Sequence, residues 1–107
     1  MQTFQQQQCQ NNPCLIDLGE LKSPLQHLNS WQLSSDKQRL YKTFNFKDYY
    51  QTTAFINAAT YIAHQQDHHP NIHFSYQRCT IEYSTHSAGG LTMNDFICAA
   101  RIDNLNI

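Results

Sequence analysis

The stretch Asp67-His68-His69-Pro70 marks a change of sequence pattern in the middle of the chain, and the chain is organised around it. Directly before this stretch, apolar residues recur at the spacing of an α-helix. After it, they alternate with polar residues as in β-strands. Pro70 disfavours helical geometry at the residue before it, so a helix is predicted to end near residues 66–68. Five of the six histidines lie between His64 and His86, which makes this stretch the centre of a local excess of imidazole.

The long helix before this stretch is predicted to begin at Asp48. Asp48 can cap the helix, and Gln51 three residues later fits a capping box in its acidic form. Apolar residues then recur on one face; they are Phe55, Ala58, Ala59, Ile62 and Ala63. The alanines keep this face thin, so the helix can lie close to a sheet.

A hairpin is predicted on each side of the long helix. The first joins a short strand around Trp31 and Leu33 to a strand over 40–46. The second joins strands over 72–76 and 79–83, with a turn near Gln77-Arg78.

Two shorter helices complete the pattern. One is expected over about 23–29, with Ser23 as its cap and Pro24 at its first position. The other begins at Thr92, where Asp95 three residues later completes a helix-start pattern. The order α-β-β-α-β-β-α predicts an α+β fold, with a single four-stranded antiparallel sheet and helices packed on one face.

Length and charge narrow the class of protein. The 107 residues are expected to form one domain over 21–107, preceded by a Gln-rich, flexible tail over 1–20. The net charge is −1 and the seven Lys and Arg residues are scattered, which argues against electrostatic binding of nucleic acid. No apolar run is long enough to span a membrane, and no signal peptide is evident.

The four cysteines, Cys9, Cys14, Cys79 and Cys98, do not have the spacing of a zinc site. Cys79 and Cys98 fall on apolar faces, where a free cysteine is usually a small core residue. Reduced thiols in a cytoplasmic protein are therefore expected.

The histidines indicate acid/base chemistry. His68 and His69 end a helix and His86 ends a strand, and these two ends can converge at one edge of the sheet. Asp67 and Asp95 would orient the imidazoles or favour their protonated form. Such a set would make a pocket that donates and accepts protons near neutral pH.

Two rival sites remain open from the residues alone. His64 and His68 have the i, i+4 spacing of two zinc ligands, but no glutamate follows His64 and no cysteine is well placed to complete a set. A nucleophilic triad has less support, because Ser84 and Thr85 precede His86 without a G-x-S-x-G elbow.

Several of these residues together resemble the pterin-4a-carbinolamine dehydratases over about residues 22–103. The similarity rests on Asp67-His68-His69-Pro70, on Tyr76, on Ser84-Thr85-His86 and on Gly90-Leu91-Thr92 with Asp95. Phe44-Asn45-Phe46-Lys47-Asp48-Tyr49 resembles the family's approach to its long helix, and Trp31 matches a tryptophan of its first strand. Each piece is weak alone, but the set is specific.

The resemblance implies a hydro-lyase that converts 4a-hydroxytetrahydrobiopterin, or a similar 4a-hydroxypterin, to the quinonoid dihydropterin and water. The carbinolamine substrate is left behind by aromatic amino acid hydroxylases, so functional coupling to such an enzyme is expected. The chemistry needs no metal and no cofactor, because the pterin is the substrate.

The resemblance also implies roles for individual residues. His68 and His86 match the acid/base histidines, His69 matches the histidine that chiefly binds the pterin, and Asp67 and Asp95 match the acids that orient or tune them. The remaining expected pterin contacts are Ser84, Thr85, Ser87 and Trp31. His64 stands where the family often has glutamate, which leaves open which imidazole is the general acid.

Members of this family form dimers or tetramers, so a homodimer or homotetramer is expected. Some members also act as a dimerisation cofactor of a transcription factor. The alternatives to the enzyme are therefore a non-catalytic protein of this kind and a histidine-rich metal-binding protein.

Overall fold

The computed structural model of the chain describes residues 3–105, and four antiparallel strands form its sheet. They are β1 (Gln32–Leu33), β2 (Leu40–Asn45), β3 (Asn71–Phe74) and β4 (Arg78–Tyr83), in the spatial order β1-β2-β4-β3. The helices are α1 (Lys22–Leu25), α2 (Tyr49–Gln66) and α3 (Met93–Asp103), and short 3-10 turns occur at Phe4–Gln6, Leu18–Glu20 and His86–Ala88. The predicted α+β order is confirmed.

The register of the central strands gives the sheet one apolar face. Leu40 on β2 lies opposite Tyr83 on β4, and Phe44 lies opposite Cys79. Cys79, Ile81 and Tyr83 alternate along β4 and are all buried, whereas Thr80 and Glu82 between them are polar and more exposed. A slip of one residue would turn the apolar set to the other face, so burial fixes this register.

Helix α2 covers this apolar face through an aromatic contact. The ring of Phe55 lies 4.6 Å from the ring of Phe44 and 5.0 Å from that of Phe46, measured between centroids. The predicted cap is present, because the side chain of Asp48 accepts a hydrogen bond of 2.8 Å from the backbone N–H of Gln51.

A Schellman motif ends α2 at the point where the sequence predicts its end. Asp67 adopts left-handed geometry, with φ 51° and ψ 46°. Its N–H donates to the carbonyl of His64, and the N–H of His68 donates to that of Ala63. Aspartate is one of the few residues other than glycine that tolerate this geometry, so Asp67 itself reverses the chain before Pro70 is reached.

Helix α3 is buried on almost every side because the N-terminal segment, residues 3–20, covers it. The N–H of Gln10 donates to the side chain of Asn94, and the amide of Asn94 donates back to the carbonyl of Gln10. Arg101 donates to the carbonyl of Gln7. The flexibility predicted for residues 1–20 stays a prediction, and residues 1 and 2 lie outside the described part. The glutamine-rich composition of this segment does not predict these contacts.

Two predicted boundaries differ from the structure. Helix α1 begins at Lys22 rather than near Ser23, and turn hydrogen bonds rather than a regular helix continue it to Leu28. Tyr76 lies in the turn and not on β3, because the N–H of Ser75 bonds to the carbonyl of Arg78 and closes the hairpin earlier. None of the helices within residues 3–105 is long and apolar enough to cross a bilayer.

The end of α3 is tied to the sheet by the carboxylate of Asp103. This carboxylate accepts hydrogen bonds of 2.7 Å from the ammonium of Lys42 and 2.9 Å from the indole N–H of Trp31. The side chains of Lys42 and Asp103 are only 17% and 12% exposed. Water therefore cannot fully replace either bond.

We expect the substitution Asp103→Ala to lower the free energy of unfolding by about 2 kcal/mol, because it leaves an ammonium and an indole N–H unpaired in a mostly buried site. Urea denaturation monitored by circular dichroism measures the change. Asp17→Ala is the matched control, since Asp17 is exposed and makes no capping hydrogen bond; it should change stability by less than about 0.5 kcal/mol. Equal effects of the two substitutions would contradict this account of the Asp103 site.

Candidate active site

The centre of the site is a hydrogen bond between His68 and Asp95. The Nε2 atom of His68 lies 2.6 Å from Oδ1 of Asp95. The side chain of His68 is 13% exposed, and that of Asp95 is fully buried. A buried carboxylate needs such partners, because its own desolvation is costly.

The second oxygen of Asp95 is also satisfied. Oδ2 accepts hydrogen bonds from the hydroxyl of Thr85, at 2.8 Å, and from the backbone N–H of Thr92, at 2.9 Å. The hydroxyls of Thr85 and Thr92 lie 2.8 Å apart. Asp95 therefore completes the capping box of α3 with one oxygen and holds His68 with the other.

The backbone turn at Asp67 and the ring of Tyr83 place the imidazole of His68. The Schellman motif reverses the chain after α2 and directs it back over the end of β4. There the imidazole stacks on the ring of Tyr83, with centroids 5.2 Å apart and planes inclined by 19°. Burial raises the pKa of the Tyr83 hydroxyl well above its ordinary value, so Tyr83 serves here as a neutral platform.

The electrostatics of the site favour a protonated His68. Burial lowers the pKa of His68, but the hydrogen bond and the negative charge of Asp95 outweigh it, and the net pKa is raised above the ordinary value. A raised pKa keeps more of the imidazolium form near neutral pH.

The hydrogen bond to Asp95 also distinguishes the two ring nitrogens. We assign the Nε2 proton to the bond with Asp95, because a carboxylate can only accept. The proton on Nδ1 is then the one that the imidazolium can transfer to another molecule. The arrangement is that of a general acid with one nitrogen fixed, while no residue within 3–105 is bonded to the other.

The loop after β4 carries Ser84 and His86 to a separate cleft of about 380 Å³. His86 is exposed, and Ser84 lines the cleft beside it. The other described residues that line the cleft are Asp36, Gln38, Arg39, Gly89 and Gly90. Thr85 links this cleft to the buried pair, because it precedes His86 and donates to Asp95. The hydroxyl of Thr85, which the sequence predicts to touch the pterin, is therefore directed inward.

The remaining predicted site residues lie at the surface or elsewhere. Asp67, His69 and Ser87 are exposed, as is His64. Trp31 is 5% exposed and bonds to Asp103, so the structure does not bring it into the His68 and Asp95 network. Its contact with substrate stays a prediction.

A larger cleft of about 740 Å³ lies between the N-terminal segment, α1 and Met93. None of the predicted site residues lines it. Its size alone gives it no role in the chemistry described above.

Two residues of the site were missed by the sequence analysis as parts of the chemistry. Tyr83 was recognised only as an apolar strand residue, and Thr92 only as a helix cap and as one residue of the family motif. The capping pattern of Thr92 and Asp95 did carry a usable signal, because it fixes where one carboxylate oxygen lies. The stacking of Tyr83 on His68 has no counterpart in local sequence.

The described part of the chain gives no support to a metal centre. Within residues 3–105, no three side chains of His, Cys, Asp or Glu lie close enough together to hold a metal ion. His64 is exposed, and His68 does not belong to any group of three potential metal ligands among these residues.

Comparison with known proteins identifies relatives along most of the chain. The family model described as pterin 4 alpha carbinolamine dehydratase matches residues 15–105. A protein of Nitrosomonas eutropha named "Putative pterin-4-alpha-carbinolamine dehydratase" is 53% identical over 77 residues, covering 72% of this chain and 66% of its own length. A protein of Nitrosospira multiformis with the same name is 44% identical over 103 residues, covering 96% of this chain and 89% of its own length.

Two solved structures share the fold. A transcriptional coactivator/pterin dehydratase from Brucella melitensis superposes with a TM-score of 0.78 at 29% identity, covering 84% of this chain and 95% of that one. A pterin dehydratase-like protein identified as a RuBisCO assembly factor in the alpha-carboxysome gives 0.60 at 30% identity, covering 70% and 87%. With the family model matching residues 15–105, this chain belongs to the pterin-4a-carbinolamine dehydratase family.

Proposed function

We propose that this protein is a hydro-lyase that converts a 4a-hydroxytetrahydropterin, such as 4a-hydroxytetrahydrobiopterin, to the quinonoid dihydropterin and water. The observation that carries the proposal is the 2.6 Å bond from His68, in the Asp67-His68-His69-Pro70 motif, to the buried carboxylate of Asp95. This hydrogen bond favours a protonated imidazole at His68, where the family motif has an acid/base histidine. An aromatic amino acid hydroxylase would supply the substrate.

The reaction needs one proton donor and one proton acceptor. The 4a-hydroxyl is a poor leaving group, and the Nδ1 proton of His68 would leave with it as water. The C–O bond breaks, a C=N bond forms in the ring, and the ring N–H proton passes to a base. We assign the role of base to His86, which the family motif marks and which is exposed beside Ser84 in the cleft that Thr85 links to the buried pair.

Other residues would bind or position the substrate. His69 follows His68 and is exposed, so it can contact the pterin directly. Ser84 and Ser87 flank His86 in the chain and can donate hydrogen bonds to the ring. Thr85 and Asp95 are positioning residues, because both act through His68. Asp67 contributes chiefly by ending α2 and aiming the chain at Tyr83.

The second candidate function is binding without turnover. Its support is that the two solved relatives are described as a transcriptional coactivator/pterin dehydratase and as a RuBisCO assembly factor. The fold is therefore associated with roles besides catalysis in other proteins.

An assay with 4a-hydroxytetrahydropterin, generated by a hydroxylase, separates the two functions. We expect the wild-type chain to form the quinonoid product faster than the spontaneous rate, with or without a chelator. The combined substitutions His68→Ala and His86→Ala should lower the rate about 10²-fold or more, since each removes a proton-transfer group. The measurement is the ultraviolet change on product formation.

The matched control is His73→Ala, because His73 is an exposed histidine on β3 outside the proposed site; it should retain the wild-type rate. A wild-type rate no faster than the spontaneous one would refute the enzyme and leave the binding function. Loss of activity on chelation would favour the metal-binding alternative.

We also propose that the chain associates with itself along β3. This strand lies at the edge of the sheet, so one side of its backbone is unpaired within the sheet. Beside it, Tyr49, Phe74 and Tyr76 are 44%, 52% and 77% exposed and line a cleft of about 380 Å³. Exposed aromatic side chains next to an open strand edge are typical of an interface.

Sedimentation velocity tests this association. We expect the wild-type chain to sediment as a dimer or tetramer and Phe74→Asp to shift it toward the monomer, because the carboxylate would be buried unpaired. Leu18→Asp is the control, since Leu18 is 59% exposed but lies in the N-terminal segment. A wild-type monomer at all concentrations would rule the interface out.

A further inference from the structure

Two thiols lie in contact between the N-terminal segment and α3. The sulfur of Cys9 is 3.4 Å from that of Cys98. Cys98 is fully buried, whereas Cys9 is only partly buried and can be reached from solvent. The reaction proposed above uses neither residue.

The surrounding hydrogen bonds hold both sulfurs in place. The N–H of Cys9 donates to the side chain of Gln66 at 2.8 Å, and the thiol of Cys9 lies 3.6 Å from the carbonyl of Asn94. The next residue, Gln10, forms two hydrogen bonds with Asn94. Residue 9 is thus fixed against the same helix turn that carries Cys98, although 89 positions separate the two cysteines.

The two thiols differ in chemical character. A hydrogen bond from Cys98 holds the pKa of the Cys9 thiol below its ordinary value, against the effect of burial. The same hydrogen bond and burial raise the pKa of Cys98. A partly exposed thiol that favours the thiolate reacts first with an oxidant and becomes a sulfenic acid. A buried neighbouring thiol can then attack this sulfenic acid to form a disulfide.

We propose that Cys9 and Cys98 form a reversible dithiol site that hydrogen peroxide oxidises to a disulfide. The Cys9 thiolate attacks one oxygen of the peroxide, an S–O bond forms and the O–O bond breaks, and the departing hydroxide takes up the proton that Cys9 had lost and leaves as water. The sulfur of Cys98 then attacks Cys9, an S–S bond forms, and the hydroxyl leaves as a second water with the Cys98 proton. Two thiols and one hydrogen peroxide give one disulfide and two waters.

The disulfide would tie the N-terminal segment to α3 next to the acid/base pair. Cys98 follows Asp95 by three residues on α3, and Tyr83 supports His68 through its ring and through a hydrogen bond to the backbone carbonyl of His68. Under oxidising conditions residues 3–20 would therefore be bonded covalently to α3, and under reducing conditions they would be held there by noncovalent contacts alone. This inference does not depend on the proposed dehydratase activity.

The test treats the folded Cys14→Ser chain with one equivalent of hydrogen peroxide, alkylates the remaining thiols and identifies the peptides by mass spectrometry. Removing Cys14 leaves Cys9 as the only cysteine before Asp17. Trypsin combined with a protease that cleaves before aspartate then separates Cys79 from Cys98. We expect residues 1–16 linked to residues 95–101, a mass lower by two hydrogen atoms, and full reversal by dithiothreitol.

Two comparisons make the test specific. In Cys98→Ser we expect Cys9 to persist as the sulfenic acid, which dimedone traps. In Cys9→Ser we expect Cys98 to remain a free thiol, which is alkylated once the chain is unfolded for digestion. The folded chain should form the disulfide at least about tenfold faster than the chain in urea, because the fold holds the sulfurs together. Equal rates, or sulfinic acid at Cys9 without the cross-link, would overturn the proposal.

Discussion

The hydrogen bond between Asp95 and His68 is the interaction on which the site depends, and it joins three parts of the fold. Asp95 belongs to the first turn of α3, His68 follows the end of α2, and Thr85 follows β4. A fully buried carboxylate tolerates removal from water only when hydrogen-bond donors are found for its two oxygens. The same requirement that stabilises the buried charge therefore brings the helix start, the helix end and the strand end together.

In the Asp67-His68-His69-Pro70 motif, the backbone ends helix α2 and the side chains form the site. Asp67 adopts left-handed geometry and ends α2, so that the N–H of His68 can close the helix while its imidazole reaches Tyr83. His69 is left at the surface, where it can contact a ligand. Adjacent histidines thus occupy different environments, and the buried carboxylate raises the pKa of His68.

Local pattern was sufficient to predict most of the fold. The cap at Asp48, the apolar face around Phe55 and the alternation through Cys79 and Tyr83 all depend on neighbours a few residues apart, and these predictions are confirmed. The hairpin turn was misplaced because alternation through Tyr76 continues past the last paired residue. The packing of residues 3–20 depends on long-range contacts, such as that of Gln10 with Asn94, which a glutamine-rich composition does not reveal.

The candidate site was also predictable only as far as local sequence pattern determines it. His68 was predictable from its residue type, and Asp95 from its residue type and its place in a helix-start pattern. Which oxygen of Asp95 accepts a hydrogen bond from which partner depends on the folded chain and could not be predicted. Trp31 illustrates the limit: its indole N–H is bonded to Asp103, a partner that sequence spacing does not indicate.

The pH titration of the His68 ring nitrogens, followed by long-range ¹H–¹⁵N NMR, tests the central claim most directly. The account predicts a pKa above the ordinary histidine value of about 6.5, with a hydrogen on Nε2 in the neutral form. In Asp95→Asn the pKa should fall, because burial remains and the negative charge is removed, whereas Asp17→Asn should leave it unchanged. A His68 pKa at or below about 6.5 in the wild type, or no fall in Asp95→Asn, would contradict the account.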